Sequence, residues 1–101
     1  MRKPPLIAAA PCVVAAFALS CTPAPPATDA DCRALVDRLV DAELRDRGLD
    51  DPALAARWRE SARSRFAAEI AACRGRPLPP GALECARRAA SPEEIAHACL
   101  R

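Results

Sequence analysis

The spacing of apolar residues in the second half of the chain follows the helical period and nowhere alternates like a strand. Cys32, Leu35, Val36, Leu39, Val40 and Leu44 fall at i, i+3, i+4, i+7, i+8 and i+12, one stripe of a helix expected over 29–47. Thr28 with Asp31 three residues on has the form of a capping box at its start. Gly48 stands where a left-handed cap ends a helix, with Leu49 placed to fold back on the last turn. A second helix, 52–74, begins with Asp51 as N-cap and Pro52 at the first helical position, and closes at Gly75. Its stripe is Leu54, Trp58, Ala62, Phe66, Ile70 and Cys73, on which Trp58 and Phe66 are expected to be core anchors.

The segment RPLPPG, 76–81, reads as a stiff loop, because each proline disfavours helix before it. A third helix over 80–89 presents Leu83, Cys85, Ala86 and Ala89. The fourth, 92–100, has Ser91, Pro92 and Glu94 in N-cap, N1 and N3 order and an apolar face of Ile95, Ala96, Cys99 and Leu100. The expected fold is all-α: a small, disulfide-stapled domain of about four helices at 29–101, the first two an antiparallel hairpin because their connection is short. Abundant alanine and arginine with few β-branched or aromatic residues agree with this.

The first residues follow another pattern. Arg2 and Lys3 precede an uncharged apolar run over 6–19, fourteen residues long. That is the length of a signal-peptide core and short of the roughly 20 residues a membrane-spanning helix needs. The run ends in Ala18-Leu19-Ser20-Cys21, which resembles a lipobox, the motif of bacterial lipoprotein precursors, although Ala18 stands where leucine is commonest. The resemblance implies removal of 1–20 and acylation of Cys21, palmitate included, with the membrane as partner through that lipid. Two or three acyl chains make a stable anchor where one is marginal. Thr22 is not the aspartate that commonly retains lipoproteins in the inner membrane, so the resemblance favours the outer membrane. The competing reading is ordinary cleavage after Ala18, through the small residues Ala16 and Ala18. Residues 21–28 then hold the lipidated cysteine and a proline-rich tether, in which TPAPPA, 22–27, is expected to extend as a polyproline spacer of about 19 Å.

Charge and cysteine count refine the picture. Arg2 and Lys3 account for the whole net charge of +2, since thirteen arginines balance thirteen carboxylates from Cys21 onward. The mature part is near neutral, which removes the bulk electrostatic argument for nucleic acid or an anionic membrane surface as a partner. Of six cysteines, Cys12 leaves with the signal peptide and Cys21 is acylated, so Cys32, Cys73, Cys85 and Cys99 remain, an even set in an oxidising compartment. Cleavage after Ala18 would leave five. The hairpin favours Cys32–Cys73 with Cys85–Cys99 among three possible pairings. Intervals of 40, 11 and 13 residues between the four lack the close pairs of a zinc site, and no C-x-x-C marks a redox dithiol or haem attachment.

No constellation suggests catalysis, a cofactor or a small-molecule substrate. His97, the one histidine, falls off the Ile95/Cys99 stripe and is expected at the surface. Ser20 and Ser91 belong to the cleavage site and a cap, while Ser61 and Ser64 lie among arginines. Asp37, Asp41, Glu43 and Asp46 give the first helix a negative side; Arg57, Arg59, Arg63 and Arg65 give the second a positive one, and the two are expected to help the hairpin pair. The leading expectation is a non-enzymatic envelope lipoprotein, an interaction or accessory module with an unknown protein partner, periplasmic or surface-facing. The alternative, from ordinary signal cleavage, is a secreted soluble effector or inhibitor.

Overall fold

A computed structural model describes residues 24–101. Residues 1–20, Cys21 and the first two residues of the tether, with the lipobox reading that falls on them, lie outside the described residues. The domain is all-α and built around one long helix, α1 (Asp29–Asp46), on which α2 (Pro52–Arg65), α3 (Ala67–Cys73), α4 (Ala82–Arg88) and the single turn α5 (Pro92–Glu94) all pack. The last turn, Ile95–Cys99, is a π turn. Among the described residues no helix is long and apolar enough to cross a membrane.

Three of the helices, α1, α2 and α5, start where a side chain satisfies free N–H groups, whereas α3 and α4 have no side-chain cap. Thr28 Oγ1 accepts from the Asp31 N–H at 3.0 Å, and the Asp31 carboxylate accepts from the Thr28 N–H at 3.0 Å. Asp51 accepts from Ala53 and Leu54, and Ser91 from Glu94. Replacing Thr28 by alanine leaves the Asp31 N–H without its acceptor, and should lower the unfolding free energy by about 1 kcal/mol, read as a shift in the urea midpoint. The α1–α2 connection is as tight as the sequence suggests. Gly48 adopts φ +71°, its N–H donating to Arg45 O while the Leu49 N–H reaches Leu44 O, the paired bonds of a Schellman cap.

Two disulfides staple the domain. Cys32, in the first turn of α1, joins Cys73 at the end of α3 with Cα atoms 6.0 Å apart. Cys85 of α4 joins Cys99 of the π turn at 5.5 Å. Each sits beside one core cluster. Cys32, Val36, Ala62 and Ile70 form the first under Ala27; Leu35, Ala42, Ala86, Ala89, Ile95 and Cys99 form the second. Arg45 donates to the carbonyl of Ala89 just past α4, tying α1 to the second cluster by a cation at a helix C-terminus.

Three expectations need correction. The helix expected over 52–74 bends at Phe66, where φ −102° and ψ 26° leave the α region and divide it into α2 and α3. The hydrogen-bond ladder survives, since the Phe66 N–H still reaches Ala62 O and the Ile70 N–H reaches Phe66 O. Ala62 and Ile70 are buried on either side of the bend while Phe66 is 40% exposed. A ring at this point would hold the two helices apart, and the small Ala62 contact and the Cys32–Cys73 staple hold them together. Phe66 is therefore no core anchor, and Trp58 is only half-buried. The tether is the third correction. Its Ala27 is 6% exposed, donates to Arg76 O at 2.8 Å and accepts from the Gly75 N–H at 2.9 Å, while Pro26 forms a bridge with Pro77. The last two residues of the proposed spacer are part of the domain, because unsatisfied backbone groups at the end of α3 find partners in them.

Candidate functional site

The α1–α2 hairpin has two unlike flanks, and α1 sequence position decides which residues face each. Asp37 and Asp41 lie one turn apart, so both carboxylates project to one flank and meet α2 arginines at the same spacing. Arg63 grips Asp37 in a two-point fork, Nε to Oδ1 at 3.0 Å and Nη2 to Oδ2 at 2.6 Å. Arg59 Nε reaches Asp41 Oδ1 at 2.8 Å, and Arg38 adds a contact at 3.3 Å. The hydrogen bond that Arg63 donates to Asp37, followed by the charge of that carboxylate, raises the Arg63 pKa above its already high ordinary value. This flank is closed by its own ion pairs and fixes the hairpin register. Toward the Gly48 turn it runs into an open cleft of about 500 Å³ lined by Asp41, Arg59, Leu49, Asp50 and Asp51.

The other flank is open. Val36, Leu39 and Val40 of α1 face Trp58, Ala62 and Phe66 of α2 and the bend across a groove of about 560 Å³. Glu43, Arg47, Ser61 and Arg65 rim it, and Pro92 closes one end. The Arg47 guanidinium lies 5.8 Å from the Trp58 ring centroid and is held by Glu43, so the indole is fixed on one face by a cation. Phe66, at the other end of the wall, is one of the three large apolar side chains most exposed among the described residues; Leu49 and Leu100 are the others. An apolar floor, two aromatic walls and an arginine-bearing rim form the pattern of a protein-contact surface, in which Trp and Arg are favoured anchors. No family model, curated protein or solved structure matches this chain. The geometry of the groove is therefore the guide to function.

The remaining sequence candidates are distributed as follows. Cys32, Cys73, Cys85 and Cys99 are all in disulfides, so none is a free thiol for a metal or a redox step. His97 is exposed on the π turn with Nδ1 3.4 Å from the Arg101 guanidinium, away from any carboxylate pair. Ser64 is exposed, and Ser61 contributes only to the groove rim. Cys21 and Ser20 lie outside the described residues. Sequence reasoning placed Trp58 and Phe66 on one stripe but missed the groove, since periodicity reports a shared face and not how much of it α1 covers.

Proposed function

We propose that this chain is a small bacterial envelope lipoprotein, cut before Cys21, anchored by lipid on that cysteine, whose helical domain is a non-enzymatic interaction module. The anchoring half is supported by the use of the four described cysteines. They pair among themselves in two disulfides, so none of the four is left to pair with Cys21. Beside the short apolar run, the charged Arg2-Lys3 start and the small Ser20, that is the arrangement acylation of Cys21 requires. Thr22 in the second mature position supports the outer membrane as the address.

The interaction half is carried by one observation, the open groove between Trp58 and Phe66. A side chain as large as phenylalanine left 40% exposed at a helix bend costs hydration that burial in a partner recovers. Crosslinking in the native envelope tests both halves. The wild-type protein should fractionate with membranes and crosslink reproducibly to one envelope protein. Cys21→Ser should move it to the soluble fraction. Phe66→Ala should change stability by no more than about 1 kcal/mol, as an exposed site does, yet lose the crosslink. Crosslinks unaffected by Phe66→Ala and Trp58→Ala would rule the groove out as the contact surface.

A further inference from the structure

The docked tether has a consequence for how the domain stands on its membrane. It rests on the reading that Cys21 carries the lipid. Ala24 and Pro25 are exposed, and from Pro26 onward the chain is fixed to the loop after α3 by the Ala27–Arg76 and Gly75–Ala27 hydrogen bonds. Three residue steps separate Cys21 from Ala24, and covalent geometry keeps their Cα atoms within about 11 Å in any conformation. A lipid on Cys21 is thus tied to one end of the domain. That end carries the Cys32–Cys73 staple and the loop 76–81.

The opposite end of the hairpin, the Gly48 turn, lies far along the helix axes. At 1.5 Å per residue along the unbroken α1, Arg47, which lies against Trp58, stands roughly 22 Å from the level of Cys32, and the Gly48 turn farther still. The two ends also differ in charge, although the mature chain is neutral overall. At the turn, Asp46 and Asp50 have no ion pair among the described residues, and Asp51 is used only as an N-cap. At the tether end most carboxylates are occupied, Asp29 by Arg33 and Arg74, Asp31 in the capping box and Glu84 by Arg87 and Arg88, while Glu69 of α3 has no ion pair among the described residues. Arg76 is exposed there without an ion pair among the described residues. At the same end a cleft of about 750 Å³ runs between the tether prolines Pro25 and Pro26, the loop residues Leu78 and Pro79, and Leu83 of α4, with Asp31, Glu84 and Arg87 also lining it.

We propose that this end is a membrane-contact face. Pro25, Pro26 and Pro80 rest at the headgroup level of the bilayer that holds the Cys21 lipid. Arg76 meets lipid phosphate, and the acidic Gly48 turn points away from the surface. The occupant follows from the chain length between anchor and domain, and from the match between a free arginine and an anionic headgroup. The same orientation holds the Trp58 end of the groove clear of the lipid, where a protein partner can reach it.

The single tryptophan makes the orientation measurable. The lipidated mature protein is reconstituted into phosphatidylethanolamine–phosphatidylglycerol vesicles containing a chain-brominated phospholipid, which quenches an indole only at close range. Native Trp58 should be unquenched. In a Trp58→Phe background, P80W should place the indole at the interface and lose roughly half its emission, as expected for a group within the outer 5–10 Å of the bilayer. R76W serves as an independent position should P80W fold poorly. Equal quenching at both ends, or none at either, in protein that resists salt and carbonate washing overturns the orientation and leaves the anchor intact. Protein that washes off unmodified overturns the anchor, and the orientation with it.

Discussion

Replacing both Cys32 and Cys73 by alanine should lower the unfolding free energy by about 4 kcal/mol, the entropy regained by a loop of some 42 residues on the chain-entropy account. Alanine is the appropriate replacement, because Cys32 is buried and a serine hydroxyl there would add an unsatisfied polar group. The bond joins residues 41 apart in sequence, at the one place where tether, α1 and α3 converge. Its loss therefore frees the α3 end as well as the loop. The cluster beside it is thin, with Ala27, Val36, Ala62 and Ile70 supplying its other buried side chains. Domains of this size are marginal on apolar burial alone, and a loss of this magnitude approaches the whole of their usual stability. Urea unfolding followed by circular dichroism should show the double variant largely unfolded at 37 °C. A loss below about 1 kcal/mol would mean that the packing of α1 on α2 and α3, and not the staple, holds this end. The Cys85–Cys99 bond closes a shorter loop, of 14 residues' separation, and the corresponding double alanine variant should cost about 3 kcal/mol.

The second large effect belongs to Ile95. It is 0% exposed and sits among Leu35, Ala42, Ala86, Ala89 and Cys99, where α4 and the π turn close on α1. Three of those neighbours are alanines, and no short side chain can extend into a vacated space. Ile95→Ala should therefore leave most of the cavity open and cost toward the upper part of the 2–5 kcal/mol range for such truncations, about 4 kcal/mol. Ile95→Val removes one methylene and should cost about 1 kcal/mol. Measured in the same urea series, the two variants separate cavity formation from loss of the π turn. If the valine variant is as damaged as the alanine variant, the shape of the turn and not the filling of the core is at issue. The turn itself has a packing explanation. Its Leu100 N–H bonds back to Ile95 O, and the wider ring keeps both Ile95 and Cys99 buried, the latter within disulfide reach of Cys85.

What the sequence made legible here is mostly what is written locally. Thr28, Asp51 and Ser91 cap their helices, and Gly48 and Gly75 end theirs, because a cap depends on a few adjacent residues and on a positive φ that glycine accepts without strain. The cysteine pairing followed from one non-local step, that a short turn makes α1 and α2 antiparallel and brings position 32 beside 73. The ion-pair flank was legible only as two faces of opposite sign: Asp37 and Asp41 meet Arg63 and Arg59, whereas Glu43 pairs with Arg47 within α1 and Asp46, Arg57 and Arg65 form no ion pair among the described residues. The bend at Phe66 was not legible. Phe66 continues the stripe perfectly well, and only the close approach of α1, set by Ala62 and the staple, pushes it out. The docking of the tether left no trace either, because Ala27 is held through its backbone N–H and C=O, which are the same in every residue. Both misses fall on the surfaces on which the proposed function rests, the groove beside the exposed Phe66 and the end that carries the fixed tether.

The lipid on Cys21 is the claim on which address, orientation and role all depend. Intact-mass analysis of the protein from the membrane fraction, under non-reducing conditions, tests it in one spectrum. The account predicts a chain beginning at Cys21, heavier than its sequence by a diacylglyceryl group and an amide-linked fatty acid, and lighter by the four hydrogens of two disulfides. An unmodified chain beginning at Leu19, found in the soluble fraction or the medium with five cysteines and one free thiol, would contradict it.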